Sequence, residues 1–286
     1  MKKLYVNKII GGNDQSSQEV NSLIVSHNGR IRCFLDFLES GKGKIRLKNC
    51  AIIKLTLTPK NENQVSVIAN IFYEGEISEK STKQSYTYYK KNDEICKGVK
   101  DKNTLGIGKD DNKTYNFYIL RHGEGVHNTV GTLNKLVNKD VLDASLTNNG
   151  YTQAENAAKQ LEGITFQYYF VSDLKRTHQT LQTVRKVRND KIELKAIVLP
   201  CNHELNYEEK INGNCDGKNA QLFSQLTAEN ISSHKIGENT DLNWQHYYKF
   251  YGDQKNSNGT RTNPHLNRKH CSGTNMIKEA TKIINS

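Results

Sequence analysis

Short apolar runs alternate along the chain with stretches in which apolar residues recur every three or four positions. The first pattern is typical of buried strands and the second of helices with one buried face. Strand-like runs lie at Ser22–Ser26, Ala51–Thr58, Gln64–Tyr73, Tyr115–Leu120, Phe166–Val171 and Lys195–Leu199. Helices are predicted over Arg30–Ser40, after the N-cap Thr147, after Ser172-Asp173-Leu174, and over Thr274–Ile284. The alternation predicts an α/β fold, a three-layer sandwich with a mostly parallel central sheet and helices on both faces.

Two stretches lack sustained periodicity. Residues 74–113 are polar and rich in Lys, Ser, Gly and Asp, which predicts a connector, and residues 210–268 are weakly patterned. A length of 286 residues fits one large α/β domain with surface insertions. We expect a single domain over 1–286, in which 1–73 and 114–286 are joined by the connector.

Composition limits the possible cellular compartments and binding partners only in part. The 41 Lys and Arg against 30 Asp and Glu give a net charge of +11, which attracts phosphorylated small molecules, phosphoproteins or nucleic acid alike. The six cysteines are scattered without a C-x-x-C pair, which indicates reduced thiols rather than disulfides or a zinc site. No apolar run approaches about 18 residues, so a cytoplasmic protein with no membrane partner is expected. The oligomeric state stays open.

Charged side chains follow several of the predicted strands. His27, Arg121 with His122, and Glu204 each lie just past a strand, and Arg176 lies in the first turn of a helix that follows one. In open α/β sheets, ligands bind beyond the carboxyl ends of the strands. We therefore expect these side chains to meet at one edge of the sheet.

These residue types suit phosphoryl transfer. A neutral imidazole can attack phosphorus and form a phosphohistidine, and guanidinium groups bind phosphate oxygens bidentately. A carboxylic acid such as Glu204 can protonate the leaving oxygen if its environment raises its pKa toward neutrality. Amides at the helix N-termini after Gly29 and Asp173 would add donors. The chemistry needs neither cofactor nor metal, and His178, Cys201 and His203 lack the spacing of metal ligands.

Several stretches together resemble the histidine phosphatase (phosphoglycerate mutase-like) superfamily. They are Val25–Gly29, Asn49–Ala51, Arg121–Gly123 with Asn128, Asp143–Gly150 and Val171–Thr180. The resemblance implies a phosphoglycerate mutase-like fold. It also implies the nucleophile His122, the phosphate ligands Arg121, Arg176 and His27, the auxiliary ligand Asn128 and the proton donor Glu204, with His203 or Glu124 as substitutes for Glu204.

The order of the motifs differs from that of the family. The arginine-histidine-glycine motif normally comes first and the second catalytic histidine last, whereas His27 precedes His122 here. The resemblance therefore implies a circular permutation in which 1–73 carries the second-histidine segment and 74–113 is a surface connector. The two imidazoles should then flank one phosphate site.

The resemblance favours a phosphatase over a mutase. Gly125 stands where mutases commonly have a serine, and Leu205–Lys210 lacks the arginine pair and tyrosine that mutases use to hold a sugar-acid phosphate. A mutase-type phosphotransferase and a phosphoryl-binding module without turnover are the alternatives. The substrate stays open, because residues 205–270 would set its selectivity.

Overall fold

The computed structural model describes residues 18–38, 47–77, 88–129, 143–190, 194–202, 204, 242–251 and 275–286. Its strands are β1 (Glu19–Ser26), β2 (Ile52–Pro59), β3 (Gln64–Tyr73), β4 (Glu94–Asp101), β5 (Thr114–Arg121), β6 (Tyr168–Val171), β7 (Ala196–Val198) and β8 (Leu242–Asn243). Its α-helices are α1 (Asn28–Leu38), α2 (Val126–Thr129), α3 (Asn148–Gln160), α4 (Lys175–Arg188), α5 (Gln245–Tyr251) and α6 (Asn275–Ile284).

The described strands form one eight-stranded sheet in the order β4-β3-β2-β5-β1-β6-β7-β8. The half from β5 to β8 is parallel, and the half from β2 to β4 is antiparallel. The α/β prediction is confirmed. The antiparallel half follows from the hairpin between β2 and β3, whose connection of four residues is too short for a parallel crossover.

Helices cover both faces of the sheet. On β1, Ile24 packs into a core that includes residues of α1 and α6, while Leu23 and Val25 pack into a second core with residues of α3 and α4. Successive side chains of a strand point to opposite faces, so a central strand covered on both sides must be apolar throughout. The nearly continuous burial along β1 and β5 meets that requirement.

The central pair of strands sets the position of everything beyond their ends. β1 and β5 run parallel with Ser26 paired with Arg121, and the amide of His122 donates to the carbonyl of Ser26 at 3.0 Å. The two strands therefore end at the same level. The residues that follow them, His27 and His122, leave the sheet side by side.

The predicted connector at 74–113 is partly wrong. Glu94–Asp101 within it forms β4, the edge strand beside β3. Ile95 and Cys96 are buried, while most of the other residues of the strand are exposed. An edge strand with so few buried positions leaves only a weak apolar pattern in the sequence, and this pattern does not predict β4.

The prediction that all cysteines are reduced thiols is wrong. Cys33 and Cys201 are each disulfide-bonded, whereas Cys50 and Cys96 are free and buried. Disulfides persist mainly in oxidising compartments. The cysteines therefore no longer support the expectation of a cytoplasmic location. None of the described helices is long and apolar enough to cross a membrane.

The C-terminal end of the chain contacts the start of the central strands. The side-chain amide of Asn285, just past α6, donates to the hydroxyl of Tyr115 at 2.8 Å. The amide of Thr114 donates to the carbonyl of Gln18 at 3.0 Å. Gln18 and Asn285 therefore contact the first and the second residue of β5, respectively, at the edge of the sheet opposite to His27 and His122.

Candidate active site

His122 is held in one tautomer by its own loop. Its Nδ1 lies 2.7 Å from the carbonyl oxygen of Gly123. A carbonyl can only accept, so Nδ1 carries the hydrogen. The Nε of Arg176 donates to Nε2 of His122 at 3.2 Å, which requires a lone pair on Nε2. His122 is therefore buried with an unprotonated Nε2 beside the guanidinium group of Arg176.

The surroundings of His122 keep the ring neutral. Burial lowers the pKa of His122 well below its usual value, and the positive charges of Arg176, His27 and Arg121 lower it further. The hydrogen bond to Gly123 opposes this shift without reversing it. A neutral imidazole with a free Nε2 lone pair is the form that can act as a nucleophile.

His27 lies directly beside His122. The two ring centroids are 5.1 Å apart, and His27 is fully buried. His27 directly follows β1, and its carbonyl accepts the first hydrogen bond of α1 from the amide of Ile31 at 2.9 Å. The strand end fixes the backbone, and the helix start turns the chain away immediately afterwards.

Two arginines bring positive charge to the same place. Arg176, in the first turn of α4, is buried, and its burial lowers its pKa while nearby carboxylates, Glu204 first, oppose that shift. Burial lowers the pKa of Arg121 to about 10, again against the opposing charge of Glu204. The Nη1 of Arg121 donates to the carbonyl of Leu47 at 2.5 Å, which fixes its direction. Both guanidinium groups stay charged at neutral pH.

Glu204 is the carboxylate at this site. Its Oε2 lies 3.6 Å from Nη2 of Arg176 and 3.7 Å from Nδ1 of His27. The loop after β7 is anchored by the buried Asn202, whose amide donates to the carbonyl of Val25 at 2.9 Å. The structure therefore brings together all four segments that were predicted to meet at one edge of the sheet.

The loop that carries His122 packs against the start of α3 through two glycines. A Cβ on Gly123 would lie 2.4 Å from the carbonyl oxygen of Gly150, and a Cβ on Gly150 would lie 2.1 Å from that of Glu124. Neither distance is compatible with a side chain. The Glu124 carboxylate accepts from the hydroxyl of the N-cap residue Thr147 at 2.8 Å, and Thr147 caps α3 as predicted.

Asn128 lies in α2, next to the same loop. Its Oδ1 accepts from the amide of Gly125 at 3.0 Å. The side chain therefore supports the backbone just after the His122 motif. His203, the other substitute for Glu204 as the proton donor, lies outside the described residues.

Three residues next to the predicted site were not expected to belong to it. The ring of His127 lies 5.7 Å from that of His122, Ser172 contacts His27, and Tyr247 contacts Asp173. The sequence predicts that Ser172-Asp173-Leu174 caps α4. Leu174 is the N-cap residue and its amide donates to Ser172 at 3.1 Å, while the amide of Lys175 donates to Asp143 at 2.7 Å. Asp143 lies 32 positions earlier, so no local pattern could reveal it.

The arrangement of charges favours an anion over a cation. His27, His122 and Glu204 each offer a ligand atom, and these atoms lie within 4.8 Å of one another, which is close enough to hold a metal ion. Arg121 and Arg176 add two positive charges to the same small volume, which would repel a cation and attract a phosphate. The set His178, Cys201 and His203 is no better, because Cys201 is disulfide-bonded.

The comparison with known families matches this site. Residues 117–233 match the family model of the histidine phosphatase superfamily, branch 1. This segment is therefore similar to the histidine phosphatase superfamily, over less than half of the chain. No curated protein and no solved structure matches the chain. The similarity supports phosphatase or phosphotransferase chemistry in general, since the superfamily is usually enzymatic.

The matched segment covers only part of the site. It contains Arg121, His122, Arg176 and Glu204, whereas His27 lies far outside it. The fold nevertheless places His27 against His122. The second histidine is therefore supplied by a part of the chain that the family match does not reach.

The lowered pKa of His122 predicts a specific pH dependence of stability. Below about pH 6.5 the unfolded chain protonates this histidine and the folded protein does not, so folding loses free energy as the pH falls. This loss is absent above about pH 6.5, and its slope approaches about 1.4 kcal/mol per pH unit below it. We expect His122→Asn to lose less stability than the wild type between pH 7 and 5 in urea unfolding. Parallel curves for the two proteins would contradict a neutral His122.

Proposed function

We propose that the protein is a metal-independent phosphatase that hydrolyses phosphomonoesters through a phosphohistidine on His122. The observation that carries the proposal is the state of His122, whose Nδ1 hydrogen is held by Gly123 and whose Nε2 lies beside Arg176. A nucleophile in that state needs no base to activate it. The surrounding charge suits a phosphoryl group with two negative charges.

Binding uses the cationic groups around His122. Arg121 and Arg176 hold the phosphoryl oxygens through charge-assisted hydrogen bonds, and His27 also contacts the phosphoryl group. The substrate phosphate replaces water around both guanidinium groups. Since burial already weakens their solvation, the electrostatic attraction is stronger than it would be at the surface.

The first chemical step transfers the phosphoryl group to the enzyme. Nε2 of His122 forms the N–P bond as the P–O bond to the leaving group breaks, and the ring becomes cationic with its Nδ1 hydrogen still donated to Gly123. The bound phosphoryl group replaces the Glu204 carboxylate beside Arg176, so Glu204 takes up a proton and then gives it to the leaving oxygen. The products of this step are a free alcohol, phosphohistidine and a Glu204 carboxylate.

The second step restores the enzyme. The Glu204 carboxylate takes a proton from water as the water oxygen bonds to phosphorus and the N–P bond breaks. Inorganic phosphate leaves, Nε2 of His122 regains its lone pair, and Glu204 is again a carboxylic acid. The same carboxyl group serves both steps, which a position next to His27 and Arg176 allows.

The first test is the phosphoenzyme. The wild type should hydrolyse a generic phosphomonoester in the presence of EDTA and carry an acid-labile, alkali-stable phosphoryl group after rapid quenching. His122→Asn should lose both, with turnover lower by at least about 10⁴-fold, because no other group forms the covalent intermediate. His246→Gln, a substitution of a half-buried histidine in α5, is the matched control. Activity that survives in His122→Asn, or that EDTA removes from the wild type, would refute the mechanism.

The role of Glu204 depends on the leaving group. Glu204→Gln removes the proton donor, and general acid catalysis typically contributes about 10²–10⁴-fold. Single-turnover phosphorylation by an alkyl phosphate should therefore slow by about 100-fold or more. Phosphorylation by 4-nitrophenyl phosphate should slow far less, because nitrophenolate leaves without a proton. Equal slowing of Glu204→Gln with both substrates would exclude Glu204 as the acid. In the wild type, tight phosphate binding without any turnover would favour the alternative of a phosphoryl-binding module.

We also propose that the chain is a circular permutation of the family arrangement. Three observations support this: the family match does not reach His27, His27 follows β1 and lies beside His122, and Gln18 and Asn285 contact Thr114 and Tyr115 at the start of β5. In the arrangement we propose as ancestral, α6 would lead into β1. The hairpin of β2 and β3 would then end the chain.

Rejoining the chain tests the permutation. Ser286 would be linked to Met1, so that residues 1–17 form the connection, and the chain would be opened between Lys91 and Asn92, in an exposed turn before β4. The motifs then follow the family order. We expect phosphatase activity within about threefold of the wild type, because permutation is tolerated where termini lie close and the break is exposed. Opening the chain inside α3, at Gln153–Ala154, is the control that should not fold, and a folded but inactive Lys91–Asn92 variant would contradict the proposal.

A further inference from the structure

We propose that Tyr247, Asp173 and Ser172 form a positioning chain that fixes the orientation and the tautomer of His27. This inference rests on the proposed function, in which His27 contacts the phosphoryl group. None of the three residues was assigned a role in the chemistry. Their hydrogen bonds lead from α5, in the weakly patterned part of the sequence, to the second histidine of the site.

The hydrogen bonds from Tyr247 to His27 form a continuous, buried series. The hydroxyl of Tyr247 lies 2.9 Å from Oδ2 of Asp173, Oγ of Ser172 lies 3.0 Å from Oδ1 of Asp173, and the same Oγ lies 2.7 Å from Nε2 of His27. All four side chains are at most 2% exposed. Water cannot substitute for any of these contacts, so each group depends on its neighbour in the chain.

The directions of the hydrogen bonds follow from the number of hydrogens available. The Asp173 carboxylate accepts from the hydroxyl of Tyr247 and from the hydroxyl of Ser172. Ser172 has one hydrogen, so its Oγ can only accept from its other neighbours. One of these is the amide of Leu174 at 3.1 Å, and the other is Nε2 of His27. His27 therefore carries its hydrogen on Nε2.

This tautomer determines what His27 offers to the substrate. With Nε2 committed to Ser172, Nδ1 is the nitrogen on the side of Glu204, 3.7 Å from its Oε2. A second proton on Nδ1 turns that nitrogen into a charged donor directed at a phosphoryl oxygen, and the negative Asp173 lies behind the ring to compensate the charge. If the ring were flipped or in the other tautomer, Nδ1 could not take this role without breaking the bond to Ser172.

Helix α5 is linked to Ser172 through two neighbouring residues, Asp173 and His178. Tyr247 reaches it through Asp173, and His178 donates from Nε2 to the carbonyl of Ser172 at 2.7 Å. Trp244 packs edge-on against both His178 and Tyr247, with ring centroids 6.1 and 5.4 Å away. The position of α5 is therefore linked to the geometry of His27.

A double-mutant cycle tests whether Ser172 acts through His27. We expect Ser172→Ala to lower kcat/KM by about 10- to 100-fold, the effect of losing a buried hydrogen bond to a charged group, and Ser172→Thr to restore most of it. In a His27→Ala background, Ser172→Ala should have almost no further effect, because its target is already gone. Tyr247→Phe should give a smaller loss of about fivefold. Full additivity of Ser172→Ala and His27→Ala would overturn the proposal.

A spectroscopic measurement separates this proposal from the proposed function. Nitrogen-15 NMR should show the hydrogen of His27 on Nε2 in the wild type and a shift toward the Nδ1 tautomer or a mixture in Ser172→Ala and Asp173→Asn. This readout needs no catalysis, so it stays decisive if the protein has no phosphatase activity. Because Ser172 also accepts from Leu174 at the start of α4, urea unfolding would show whether each variant is folded. A folded Ser172→Ala variant in which His27 keeps the wild-type tautomer would overturn the proposal.

Discussion

The candidate site depends on one pairing, that of β1 with β5 in parallel with Ser26 opposite Arg121. A shift of one residue would turn His27 and His122 to different levels and would also move every apolar side chain of β1 to the wrong face. The register is therefore enforced by the two cores on either side of the sheet. Precision at the site is a by-product of packing in the interior.

Burial decides the chemistry that this geometry permits. The same loss of solvent that lowers the pKa of His122 also leaves two guanidinium groups poorly solvated. Without an anion, Glu204 is the nearest negative charge to Arg176. A phosphoryl group would satisfy the same cations more completely, because it offers several oxygens with a larger charge. The site thus combines a neutral imidazole, the form that can act as a nucleophile, with two poorly solvated guanidinium groups that attract an anion.

Polar contacts around the site link distant segments. Asp143 caps α4, Asn202 anchors the loop of Glu204 to β1, and Tyr247 connects α5 to Asp173. Each contact joins positions that lie far apart in sequence. Together these contacts explain why the four segments that carry His27, Arg121 with His122, Arg176 and Glu204 hold these side chains at defined distances.

The sequence by itself determined the alternation of strands and helices and the residues at the strand ends, because buried strands, amphipathic helices and N-caps such as Thr147 leave local patterns. It also carried the residue types of the site, from His27 to Glu204. Only the tertiary structure decided that β4 joins the sheet, that Cys33 and Cys201 are disulfide-bonded, and that Ser172 supports His27. Those features depend on contacts between distant residues, and such contacts leave no periodic trace in a single sequence.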